Sequence, residues 1–249
     1  MIYFVGAGPG AVDLITVRGQ ALLERACLVV YAGSLVNPAL LDACPPGCET
    51  LDSASMTLPE VVSAMARRDG PDHVVVRLHT GDPSLFGAIR EQMDALRRLG
   101  ISYTVVPGVS SLFAAAAALP AEFTLPGVTQ TVIITRAAGR TPVPEAESLR
   151  SLAAHRATMA LFLSAGMLEE LCAELTAGGY PPETPAAIVY RASWPEENVV
   201  RGTLRTLPEI GQGLTKTALV LVGNFLGDDY ELSRLYDPSF SHGYRAGTP

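Results

Sequence analysis

Three short stretches hold residues suited to binding a polar ligand: Gly6-Ala7-Gly8-Pro9-Gly10, Gly81-Asp82-Pro83 and Pro107-Gly108-Val109-Ser110-Ser111. Glycines let a backbone turn tightly and let a ligand come close. Pro83 fixes its own φ and pushes Asp82 towards extended backbone. The Asp82 carboxylate therefore sits at the mouth of a strand-to-helix turn, where it either meets a ligand or caps the helix. Ser110 and Ser111 face the same choice at the start of an alanine-rich run. The usual hardware of hydrolysis, phosphoryl transfer and metal chemistry is missing. There is no Gly-x-Ser-x-Gly elbow, no P-loop and no His-Glu-x-x-His. His73, His79, His155 and His242 are scattered and read as surface or internally satisfied residues. What remains suits a reaction in which a cofactor brings the reactive group and the protein brings position.

Each stretch needs a strand before it and a helix after it. Residues 2–5, 74–78 and 103–106 are mostly apolar, β-branched runs and read as strands. Helical spacing follows at about 14–26, 85–99 and 112–119. Further strands are expected at 27–31 and 49–52. A helix is expected at 58–68, with Thr57 as N-cap and Pro59 in its first turn. The first 119 residues thus repeat strand, loop and helix, which points to a parallel sheet with a ligand crevice at its carboxyl edge. Residues 120–127, rich in proline and glycine, read as a linker. Residues 128–249 form a second α/β half, with strands at 131–135, 159–164, 186–190 and 218–222. Its helices are expected near 145–155 and 167–177, with a short one at 207–210. The aromatic tail, from Leu235 to Arg245, has too many aromatic and hydrogen-bonding groups for a plain disordered end and should fold back onto the body.

The totals narrow the partners. The 249 residues are 48% hydrophobic and carry a net charge of −7, with a pI near 5.1. Nucleic acid and anionic membrane surfaces call for a basic face. No run approaches the roughly 18 apolar residues of a membrane span. The first residues read as a strand, not a signal peptide. Cys27, Cys44, Cys48 and Cys172 lack a clustered metal-ligand pattern, so reduced thiols in a cytoplasmic protein are expected and no metal site is. A dinucleotide fingerprint fails twice. Pro9 breaks the G-x-G-x-x-G spacing, and Ala32 stands near where a ribose-binding acid would follow the second strand.

Together and in this order, the Val5–Gly10, Gly81–Pro83 and Val106–Ser110 motifs resemble the tetrapyrrole methylases, over nearly the whole chain. Tyr31-Ala-Gly-Ser-Leu-Val-Asn-Pro38, Ser53-Ala-Ser-Met-Thr57 and the tail resemble most closely the members that methylate corrin precursors of cobalamin synthesis. The resemblance implies two α/β domains with mostly parallel sheets and a cofactor cleft between them. It also implies a homodimer and S-adenosylmethionine as methyl donor to a tetrapyrrole carbon. By the family pattern, cofactor contacts fall on Pro9, Thr80, Gly81, Asp82, Leu85, Ser110, Ser111, Leu163 and Ala192. Ala32 replaces the acid of the uroporphyrinogen methylases, so no acid–base role carries over to it, and no catalytic residue is assigned. The many carboxylates of a tetrapyrrole suit arginine forks. Arg77, Arg90, Arg136 and Arg191 lie near predicted strand ends or loops, as carboxylate ligands or as ordinary surface arginines. A nucleotide-binding oxidoreductase and a non-catalytic tetrapyrrole-binding protein are the alternative classes.

Overall fold

The computed structural model of the chain describes residues 1–248. Two compact units divide it. The first holds Met1–Ala115 together with Arg191–Glu197, and the second holds Ala116–Tyr190 and the chain from Asn198 onward.

In the first unit, β1 (Ile2–Gly6), α1 (Val17–Leu23), β2 (Ala26–Tyr31), β3 (Glu49–Asp52), α2 (Leu58–Arg68), β4 (Val74–His79), α3 (Ile89–Arg98) and β5 (Tyr103–Val106) follow in order, and α4 (Ser111–Ala118) crosses into the second unit. The strands form one sheet in the order β3-β2-β4-β1-β5. Every pairing in it is parallel. A parallel sheet is covered on both faces, which explains why all six residues of β4 are buried. Side chains alternate between the faces. Val5, Val29, Val76 and Leu78 pack with Leu22 and Leu23 of α1. Ile2, Phe4, Val30 and Val75 pack on the other face with Met65 of α2 and Leu96 of α3. The helix after β1 thus lies on one face and the helix after β4 on the other. The two strands are neighbours, so the sheet has its topological switch point between them. In open α/β sheets this is where ligands bind.

Two helices of the first unit differ from the expectation. The run expected at 14–26 is a short 3-10 turn followed by α1, because Thr16 accepts a hydrogen bond from the Gly19 amide at 3.1 Å and restarts the helix there. The run expected at 85–99 begins only at Ile89. Phe86 and Ala88 have left-handed backbone, with φ of 56° and 49°. A helix cannot pass through them, and the segment before α3 is a turn.

The second unit contains β6 (Val132–Arg136), α5 (Leu149–Ala153), β7 (Thr158–Phe162), α6 (Leu168–Ala177), β8 (Pro185–Tyr190), β9 (Asn198–Thr203), α7 (Leu207–Ile210) and β10 (Ala218–Val222). Its sheet runs β6-β7-β10-β8-β9. Only β6 and β7 pair in parallel, and the other three pairings are antiparallel. The parallel pattern is therefore a property of the first sheet. Helix α5 is shorter than expected because Ser148 caps it, accepting from the Ser151 amide. Leu149, Leu161, Leu168, Leu171, Ile188 and Leu207 form the core beneath the helices. The tail folds on itself. The Arg245 guanidinium donates to the carbonyls of Leu235, Asp237 and Phe240, while Tyr236 and Tyr244 stay exposed.

Candidate functional site

The loops after β1, β4 and β5 meet at the carboxyl end of the first sheet, and glycine lets them do so. The Gly8 and Gly81 amides donate to each other's carbonyls, at 3.3 and 2.8 Å. A Cβ on Gly6 would stand 2.5 Å from Gly108 Cα and 2.6 Å from the Gly81 oxygen, and one on Gly108 would overlap that same oxygen. Side chains at these positions would force the loops apart. Gly81 also adopts φ of +61°, which costs glycine nothing.

Asp82 ties the second loop to the third. Its Oδ2 accepts from the Gly108 amide at 2.9 Å, and its Oδ1 accepts from the Ser84 amide at 2.8 Å and from the Ser84 hydroxyl. Burial works to raise the carboxyl pKa. The donors from Ser84 and Gly108 outweigh it and hold Asp82 below the usual carboxylate range. An ionised carboxylate has about four acceptor positions. Three are filled, so Asp82 keeps room for one more donor. The structure gives it a role beside the two foreseen: it braces the loops, and it does not cap α3, which starts seven residues later.

The other expected residues fall as follows. Pro9 and Gly81 are buried in the loops, Thr80 is exposed and Leu85 is half-buried. Ser110 is buried and its Oγ accepts from the Leu112 amide at 3.2 Å, a capping bond at the start of α4, with Ser111 half-buried beside it. Leu163 follows β7 in the second unit, 75% exposed and left-handed at φ 56°. Ala192 is buried, and left-handed residues, Arg191 and Ser193, flank it. Of the eight non-glycine residues with positive φ among those described, Phe86, Ala88, Leu163, Arg191 and Ser193 lie on or within three positions of an expected contact. Backbone of this kind is costly and clusters at ligand sites.

The arginines separate. Arg77 is buried, with Nε on Gln92 Oε1 and a terminal nitrogen on the Val30 carbonyl, each at 3.1 Å. Burial pulls it down to about 10. It is a core residue of the central strand and not a ligand for substrate carboxylates, because its position on β4 turns it to the face covered by α3. Arg90 is exposed on α3 and paired with Asp94. Arg136 donates to the carbonyls of Ala137, Thr141 and Pro142. Arg191 pairs with Glu196 and lies over the Trp194 ring.

His79 also departs from expectation. It is buried beside Phe4, its Nε2 has no hydrogen-bond partner among the described residues, and burial followed by Arg77 lowers it to about 3. No group of His, Cys, Asp or Glu among the described residues is placed to hold a metal ion. No helix there is long and apolar enough to cross a membrane.

Sequence reasoning missed the residues that hold the first loop from outside it. Trp194 Nε1 donates to the Pro9 carbonyl at 2.9 Å, the Ala11 amide donates to Ser193 Oγ at 3.0 Å, and Asn37 Nδ2 donates to the Gly10 carbonyl at 2.8 Å. Their only sequence signal was that Trp194 is the sole tryptophan of the chain.

Comparison with known proteins gives a consistent picture. The family model of Tetrapyrrole (Corrin/Porphyrin) Methylases matches residues 1–208. The cobalt-precorrin-4 C(11)-methyltransferase of Methanocaldococcus jannaschii is 51% identical over 98% of this chain and 95% of its own length. The precorrin-4 C(11)-methyltransferase of Pseudomonas aeruginosa is 47% identical, with 99% of each chain covered. Among solved structures, a cobalt precorrin-4 methyltransferase of cobalamin biosynthesis is 48% identical, with a TM-score of 0.89 over 91% of this chain and 96% of that one. The uroporphyrin-III C-methyl transferase of Thermus thermophilus, complexed with S-adenyl homocysteine, is 30% identical, with a TM-score of 0.77 over 90% and 98%.

Proposed function

The chain belongs to the tetrapyrrole methylase family, and we propose that it transfers a methyl group from S-adenosylmethionine to carbon 11 of precorrin-4, cobalt-free or cobalt-containing, in cobalamin synthesis. The observation that carries the reading is the meeting of three loops at the switch point of the first sheet, braced by Asp82. Near-full-length relatives named for this reaction support it.

The residues present suit the cofactor. The loops are built of glycine and small side chains, with hydroxyls on Thr80 and Ser111 and an ionised Asp82 that keeps acceptor capacity. When bound, S-adenosylmethionine supplies an electrophilic methyl on a sulfonium. The chain's part is to hold that methyl in line with the ring carbon and to keep water away. In this reading Asp82 accepts from a hydroxyl or ammonium of the cofactor. Pro9, Thr80, Gly81, Leu85, Ser110 and Ser111 line it from the first unit, where Ala192 adds its buried methyl; Leu163 is proposed as a contact on the family pattern. The left-handed backbone at Leu163 and on both sides of Ala192 supports those two positions. Arg90, Arg136 and Arg191 are the arginines left to meet substrate carboxylates.

The protein also acts as a homodimer in this reading. The edge strands β5 and β6 expose Val105 and Ile134, at 38% and 40%. An open sheet edge that carries an apolar side chain is a place where a second copy would pair.

The test is transfer of labelled methyl from S-adenosylmethionine to each form of precorrin-4, with carbon NMR to locate the label. Label at carbon 11 is expected, and label elsewhere or none refutes the reading. S-adenosylhomocysteine at a hundredfold excess over Kd should stabilise the fold by about 2.7 kcal/mol, a melting shift of roughly 5–10 °C. NAD should give no shift, and the opposite pattern would restore the oxidoreductase class.

A further inference from the structure

The loop after β1 is pinned residue by residue. Gly8 bonds to Gly81 through both its amide and its carbonyl. The Pro9 carbonyl accepts from Trp194, the Gly10 carbonyl from Asn37, and the Ala11 amide donates to Ser193. A Cβ on Gly10 would overlap the Cδ1–Nε1 edge of the indole, so the ring packs against the loop where only glycine fits. Two of the four pins come from Arg191–Glu197, which is itself a self-held turn. The Trp194 amide donates to the Arg191 carbonyl at 2.9 Å, the Glu197 amide to the Trp194 carbonyl at 3.0 Å, and the Ser193 amide to Glu197 Oε2 at 2.6 Å. Arg191 stacks its charge over the indole and pairs with Glu196.

We propose that Trp194 is a positioning residue: with Ser193 it clasps the glycine-rich loop, so that the loop is already ordered when the cofactor arrives. The inference rests on the reading that S-adenosylmethionine lies against this loop. Glycine-rich backbone has the most conformational freedom to lose. A binder ordered in advance avoids that loss at the moment of association. The Trp194 side chain need not touch the cofactor to raise its affinity.

The test compares wild type with Trp194→Phe, which keeps a ring and removes the donor, and Ser193→Ala, which removes the acceptor for the Ala11 amide. Amide exchange is measured in the ligand-free protein, and S-adenosylhomocysteine affinity by calorimetry. Exchange at Ala11 should accelerate in both variants with melting temperatures near wild type. Affinity should fall on the order of threefold to tenfold, the worth of one net hydrogen bond. The KM for S-adenosylmethionine should rise by the same factor while kcat at saturation holds. Unchanged exchange in both variants overturns the clasp whatever the ligand does. Faster exchange with unchanged affinity and KM overturns the positioning role and leaves the cofactor reading intact. A wild-type protein with no affinity for S-adenosylhomocysteine overturns both.

Discussion

At the scale of single residues, His79 and Asp82 respond to pH in the same direction for different reasons. His79 is buried without a partner at Nε2 among the described residues, and its pKa falls to about 3 from an ordinary 6.5. The unfolded chain therefore takes up a proton that the folded one refuses, and stability declines as pH drops below about 6.5. Each pH unit across that window costs about 1.4 kcal/mol. His79→Phe should remove about 2 kcal/mol of the loss between pH 6.5 and 5, read from urea midpoints at each pH. An unchanged slope would mean that His79 is protonated in the fold. For Asp82 the folded pKa is also lowered. Its contribution is complete above the ordinary carboxylate pKa of about 3.9 and is lost as pH falls through the lower folded value. Asp82→Ala should cost about 1–2 kcal/mol at neutral pH, because the Gly108 and Ser84 amides lose their acceptor, and should weaken S-adenosylhomocysteine binding. A variant with wild-type stability and affinity would contradict the brace. That Asp82 mattered was legible from Gly81-Asp-Pro83 alone. That it braces Gly108 was not, because the partner lies 26 positions along the chain. Arg77 misled for a related reason: a charged residue one step from a strand end looks exposed until a helix is seen to cover that face.

At the scale of elements, the three loops act as one object. Gly108→Ala would put a methyl against the Gly81 carbonyl and the Gly6 backbone. Overpacking of this kind costs about 1–3 kcal/mol, and here it would also spread the cofactor loops. Stability and S-adenosylhomocysteine affinity should fall together. Gly139→Ala is the control, since nothing lies within 4 Å of its Cβ, and it should change neither. Retained affinity in Gly108→Ala would show that the loops bind independently. Strands and the helix at 58–68 were legible because their apolar periods are strong and their ends carry proline, glycine or a cap. The late start of α3 was not, because no spacing rule marks Phe86 or Ala88 as left-handed. The antiparallel pairing of the second sheet was hidden too, since its buried runs look the same in either direction.

For the molecule as a whole, sedimentation velocity should give about twice the 26.2 kDa chain mass. Val105→Asp on the edge strand β5 should shift it towards monomer, if that edge is covered by a second copy as proposed. A wild-type monomer at micromolar concentration would refute the dimer. Composition and motif order were enough to read the fold class and the family. They could not reveal that Arg191–Glu197 leaves its neighbours β8 and β9 to complete the first unit. That excursion sets a clock on synthesis. Pro9 leaves the ribosome 185 residues ahead of Trp194, an interval of roughly 10–40 s at ordinary elongation rates. In its second half, once β5 has been made, the first sheet can form, but the loop after β1 still has no indole to hold it. Nascent chains stalled before residue 191 should bind S-adenosylhomocysteine more weakly than chains released at full length. The first loop to be made is among the last to be finished.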